Sequence, residues 1–174
     1  MKRILIACLV SFLLLANCQK KEEPKVRTPF PAGPVQGGNE IALLQNIVRQ
    51  DPKNLSAGIK LGNILMDSYR FNEAIEAYQK TLELEPKNVD VRVDMGTCYR
   101  NIGRPDKAVE EYRKAIAINS NHLNAHRNLG VVFAVDLGDK KQAIKEFEEY
   151  LRLSPNAPDA YQLRQEIARL KATQ

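Results

Sequence analysis

Apolar and polar residues alternate at helical spacing through most of the chain. In the stretch FNEAIEAYQKTLELEP, Ala74, Ile75, Tyr78, Leu82 and Leu84 form one stripe, while Glu73, Glu76, Lys80 and Glu83 fall largely opposite. This predicts an amphipathic helix closed by Pro86. The stretch before it, from about Leu55 to Tyr69, predicts a partner helix with Gly62 in its middle. A mid-helix glycine costs about 1 kcal/mol against alanine, so a packing reason is expected: without a Cβ, two helices can approach closely. The pattern then returns. Gly62, Gly96 and Gly130 stand 34 apart, each after a large apolar residue (Leu61, Met95, Leu129), and the same offset carries Leu65 to Tyr99 to Phe133 and Ala74 to Ala108. One extra residue enters the third copy, so Ala108 is followed by Ala143, Tyr112 by Phe147 and Ser120 by Pro155; the slip is expected in a turn. A period of this length implies a helix-turn-helix unit that buries its apolar face by stacking on copies of itself.

The order large-x2-Leu-Gly-x2-Tyr, then Ala-x3-Phe, then Pro resembles the tetratricopeptide repeat over roughly Leu55 to Ala157. The slot that favours Trp holds Gly58, Arg92 and His126, and Ser120 replaces the second closing proline. The resemblance implies an all-α fold, an α-solenoid of about three repeats over 55–88, 89–122 and 123–157. Upstream, 40–54 reads as the second helix of a repeat whose first helix is missing, with Pro52 lying 34 residues before Pro86. Downstream, 158–174 starts with a proline in its first turn and keeps Tyr161, Leu163, Ile167 and Leu170 apolar. It reads as a capping helix, the element a solenoid needs to stay soluble, so the array is expected to stop there.

The N-terminus concerns address. Lys2 and Arg3 precede an apolar run, Ile4 to Ala16, too short to span a bilayer and laid out as an export signal. The run closes on LLLANC, which resembles a bacterial lipoprotein box and implies cleavage after residue 17 and lipidation of Cys18. A second candidate, LIAC ending at Cys8, leaves too short an apolar region. Residues 18–39, rich in Pro, Gly and charge, read as a disordered tether. Gln19 after the lipidated cysteine, where an aspartate would retain such proteins at the inner membrane, implies a lipid-anchored envelope protein at the outer membrane, facing the periplasm.

Composition removes several functions. The net charge of +5 falls to +3 once Lys2 and Arg3 leave with the signal, and acids and bases are mixed along the helices. No nucleic acid is expected as a partner. Cleavage before Cys18 would leave Cys98 as the other cysteine, a buried hydrophobe with no internal disulfide to make. His122 and His126 stand four apart but lack the glutamate of a metalloprotease helix, Leu123 standing in its place, and no third ligand is evident; turn and packing roles explain them. Glu110/Glu111 and Glu148/Glu149 read as exposed helix faces. No phosphate loop, nucleophile elbow or triad spacing is present. No enzyme activity, metal or cofactor is expected.

Recognition remains. The resemblance implies a concave groove lined by first helices: Ile59, Asn63 and Met66, then Val93, Thr97 and Arg100, then Arg127, Val131 and Ala134, with Asp67 and Asn101 at the edge. Such a wall suits a helix or extended peptide, and Arg100 and Arg127 could take a carboxylate. The chaperone-tail clamp is not matched: Asn63 fits, but Ile59, Asp94, Asn124 and Asn128 fill its other slots. The leading function is a membrane-anchored, monomeric adaptor that docks an envelope protein or peptide. The alternative is a self-associating subunit of an envelope assembly, sensitive to changes around Ile41, Leu44 and Ile47; a third reading, an enzyme with an unrecognised site, would show at His122 or an acidic pair.

Overall fold

The computed structural model describes residues 38–173. The signal over 1–17, lipidation of Cys18 and the tether up to Gly37 lie outside the described residues. Among the described residues eight α-helices follow one another: α1 Gly38–Gln50, α2 Leu55–Asp67, α3 Phe71–Leu84, α4 Val89–Asn101, α5 Pro105–Ile118, α6 Leu123–Val131, α7 Lys140–Leu153 and α8 Ala160–Ala172. A π-helical turn, Val132–Asp136, continues α6. The described chain is an all-α solenoid.

Each first helix starts on a side-chain cap at the repeat period. Asn54 accepts from the Ala57 amide and Asn88 from the Val91 amide, both at 3.0 Å, and His122 Nδ1 accepts from the Ala125 amide at 3.2 Å. α1, α3 and α7 stop two residues before Pro52, Pro86 and Pro155, because a proline disfavours helical backbone in the residue before it. Pairs α2/α3, α4/α5 and α6/α7 pack together, and each second helix packs on the next first helix.

The glycine in each first helix faces a ring of its partner. A Cβ on Gly62, Gly96 or Gly130 would lie 2.3 Å from Tyr78, 2.7 Å from Tyr112 and 2.4 Å from Phe147. Those three rings are almost wholly buried. The core forms two stretches that meet on α4 and at the half-buried Tyr99: one joins α1 and the first repeat to Val91, Met95 and Cys98 of α4, the other joins Val93 and the rest of repeats two and three to α8.

Two expectations need correcting here. The extra residue of the third copy lies in helix, not in a turn: the Leu137 amide donates to the Val132 carbonyl five residues back, at 3.0 Å. A widened turn absorbs one residue while Phe133 keeps its core slot and Gly138 keeps the left-handed turn position that Gly103 holds one repeat earlier. On α1, Ile41 and Leu44 are buried among the residues of the first core stretch, and the large apolar residue that is exposed is Leu43, at 59%. Changes at Ile41 or Leu44 would therefore unfold the edge instead of probing self-association.

Candidate functional site

Neighbouring first helices touch, α2 with α4 and α4 with α6, and so form one wall. On α2, Ile59, Asn63 and Met66 are half-buried. Asn63 Oδ1 accepts from the Tyr78 hydroxyl at 2.8 Å, and Met66 Sδ lies 4.0 Å from the same hydroxyl. On α4, Val93 is only 4% exposed and belongs to the core stretch of the second and third repeats, which removes it from the groove surface. α4 sits mid-array, with α5 and α6 both packed beside it. Thr97 is half-buried and spends its hydroxyl on the Val93 carbonyl and the Tyr112 hydroxyl, each at 3.1 Å. Val131 and Ala134 are half-buried, packed against the core.

The two arginines are not free carboxylate clamps. Arg100 Nε donates to Asp136 at 2.5 Å, and Arg127 Nε donates to Asp159 at 2.6 Å. Asp136 comes from the π-helical turn and Asp159 from the N-cap of α8, so each arginine ties its first helix to the next one. His122 Nε2 and Asp90 make a third such tie at 2.9 Å. A partner's carboxylate would have to displace Asp136 or Asp159. Asn101 donates to the Thr97 carbonyl at 2.9 Å.

The first helices' charges that remain outside ion pairs among the described residues are Lys60 on α2, one repeat before Asp94, and the acids Asp67 and Asp94. Asp67 and Asp94 have no ion pair or hydrogen bond among the described residues. Burial first, then the negative charges of Asp90 and Asp67, push the Asp94 carboxyl up to about 6, against a smaller opposing effect of His122. Behind it, Cys98 is fully buried, and burial together with Asp94 pushes its thiol up to about 12. That is the opposite of an activated nucleophile.

A second set of residues lies where the repeat pattern favours tryptophan. Arg92 donates to Glu111 at 2.9 Å and, through Nε and Nη2, to the Pro86 carbonyl at 3.2 and 2.7 Å. His126 meets Glu146 at 2.7 Å and the Ser120 carbonyl at 3.0 Å. Glu111 is 6% exposed, so it is not the exposed helix face expected from sequence; the Arg92 guanidinium and Lys114 make its burial tolerable. In the first repeat the equivalent positions are Gly58 and Ala77. A cleft of about 750 Å³ opens there between α1, α2 and α3. The two histidines thus belong to separate carboxylate pairs.

Family models described as tetratricopeptide repeat match residues 65–127 and 103–158. No curated protein sequence matches the chain. Among solved structures, the chain is similar to the crystal structure of MamA, at 26% identity and a TM-score of 0.70, covering 76% of this chain and 75% of that one. Residues 41 to the end of MamA from Desulfovibrio magneticus RS-1 share the fold at 18% identity and a TM-score of 0.64, covering 69% and 67%. The first tetratricopeptide domain of Spaghetti (RPAP3), bound to the HSP90 peptide SRMEEVD, shares it at 22% identity and a TM-score of 0.63, covering 71% and 94%.

Proposed function

We propose that this chain, which belongs to the tetratricopeptide-repeat family, holds a segment of a partner protein along the wall of its first helices and does so at a bacterial envelope membrane. A protein-interaction module is what the family and fold support. The observation that carries the finer reading is how the wall's charges are distributed. Arg100, Arg127 and His122 are spent on ties between repeats, which leaves two acids, Asp67 and Asp94, against the single base Lys60, beside the half-exposed Ile59 and Met66. That combination fits a basic segment with an apolar anchor, and not the carboxylate that Arg100 and Arg127 suggested from sequence. The RPAP3 domain shares the fold and holds a peptide, but that peptide, SRMEEVD, is acidic, so the basic character proposed here rests on this chain's own acids.

The address rests on Lys2, Arg3, the run Ile4–Ala16 and Cys18. A lipid on Cys18 would hold the array at the outer membrane, facing the periplasm, as a monomer. The test combines two variants in a bacterial host. Cys18→Ser should release the protein from the membrane fraction and abolish incorporation of labelled palmitate. Asp67→Lys/Asp94→Lys should lose the crosslinked envelope partner while keeping the helical circular dichroism. A partner retained by the folded double variant would refute the wall as its site.

Leu43, exposed at the open edge of α1, favours a second reading in which another copy stacks there. Sedimentation of the wild type against Leu43→Lys decides it.

A further inference from the structure

The second and third repeats are pinned by the same contact made with different chemistry. In the second, Arg92 reaches from the first helix to Glu111 on the second helix and to the Pro86 carbonyl of the turn before it. In the third, His126 does the same with Glu146 and the Ser120 carbonyl, at 2.7 and 3.0 Å. A guanidinium donates from every nitrogen and keeps its charge. An imidazole donates from both nitrogens only while it carries two protons, and histidine changes charge in the neutral range. Nε2 of His126 faces a carbonyl oxygen, which can only accept, so one proton sits there. Nδ1 faces a carboxylate, which when ionised also only accepts, so the contact is complete when a second proton lies between them. Both side chains are buried, with little room for water to replace either bond.

The surrounding charges supply no substitute for that proton. On α7, Glu149 feels the charge of the ring but is bonded to Arg152, and Lys145 is exposed. On α5, residues 115–118 are uncharged, and Lys114 is held by Glu110 and Glu111. On α4, Asp90 meets His122 and Asp94 lies within reach of that ring's charge. Asp159 of α8 is taken by Arg127 and Tyr150, and Asp136 of the π-helical turn by Arg100. His122 differs from His126, because its Nδ1 accepts the Ala125 amide and its bonds need one proton only.

We propose that the third repeat is locked by a proton held between His126 and Glu146, so that it loosens as pH rises while the second repeat, locked by Arg92, does not. When the ring gives that proton to solvent, Nδ1 and the carboxylate are left as two acceptors 2.7 Å apart, and a buried acceptor without a donor is costly. The elements freed are α6, the turn at Ser120 and α7. Because α6 carries Arg127 and Val131, the same proton steadies that end of the wall. The inference does not depend on what the wall binds.

The experiment follows amide hydrogen exchange of the full-length chain in detergent by mass spectrometry, from about pH 6 to about pH 9, each rate being divided by the intrinsic rate at that pH. Protection of α6 and α7 should fall about tenfold or more relative to α4 and α5 across that range. Glu146→Gln keeps the side chain's size and removes the need for the second proton: its carboxamide donates to Nδ1 while Nε2 still donates to the Ser120 carbonyl. In that variant the ratio should stay flat. Ring-nitrogen NMR spectra of the wild type should show His126 losing its second proton at the pH where the protection falls. A flat ratio in the wild type, an equal fall in Glu146→Gln, or a ring that loses its proton without loosening the third repeat would overturn the proposal.

Discussion

Gly62→Ala tests whether close approach of helix to ring holds the repeats together. The new Cβ would stand 2.3, 2.5 and 2.9 Å from three atoms of the Tyr78 ring, where ordinary contact begins at 3.4 Å. The ring would have to retreat by about 1 Å, yet it is fully buried and its hydroxyl is tied to Asn63. Overpacking of this kind costs about 1–3 kcal/mol. Replacing a mid-helix glycine by alanine returns up to about 1 kcal/mol of helix propensity. With contacts this short against a buried ring the overpacking cost lies in the upper part of its range, about 2–3 kcal/mol, so the net is a loss of about 1–2 kcal/mol, or about 4–8 °C in Tm for an array of this size. Thermal and urea unfolding followed at 222 nm read it directly. Gly38→Ala is the control, since a Cβ there meets nothing within 4 Å. Pairing Gly62→Ala with Tyr78→Leu should show favourable coupling, because the smaller side chain vacates the contested space. If Gly62→Ala is as stable as the wild type, or more so, the glycines are not there for packing.

Three further outcomes are expected. Arg92→Ala should destabilise the array by about 3 kcal/mol, the low end for breaking a buried pair because Lys114 still faces Glu111; a loss under about 1 kcal/mol in urea unfolding would contradict the pair's role. Asp94 holds a proton in the fold up to about pH 6 that the unfolded chain releases near its ordinary 3.8, so the wild type loses stability as pH rises through that window and stays penalised above it. Asp94→Asn should therefore be more stable than the wild type at pH 7.5, by at most about 3 kcal/mol, and equal to it at pH 3.5; equal stability at both values would remove the argument. Cys98 should resist iodoacetamide in the native state and react only as the array unfolds, as site-resolved mass spectrometry would show; native-state labelling at pH 8 would contradict its burial.

The fold was legible because its packing rule is written in residue types at a fixed period. Glycines at 62, 96 and 130, aromatic residues at 78, 112 and 147, and prolines at 52, 86 and 155 can all be seen without coordinates; the ring each glycine faces and the caps at 54, 88 and 122 are seen only in the structure. The site was less legible because its chemistry depends on who faces whom between repeats. Arg100 and Arg127 look like free cations in sequence, and their partners stand 36 and 32 residues away, at no common offset. The π-helical turn that carries Asp136 was visible only as a one-residue slip, which a loop would have explained equally well. Val93 has the helical phase of a groove residue and is covered because α4 lies mid-array. The cleft at Gly58 is understood only after Arg92 and Glu111 are seen to fill its equivalent.

The measurement that bears most directly on an interaction module is position-resolved photocrosslinking in the bacterial envelope. A benzophenone amino acid is introduced singly at Asn63, Asp67 or Asn101 on the first-helix wall and at Lys80, Arg113 or Lys145 on the second helices. One partner should be captured from the wall positions, from none of the second-helix positions, and lost on Asp94→Lys. Capture of that partner from the second helices, with nothing from the wall, would contradict the account.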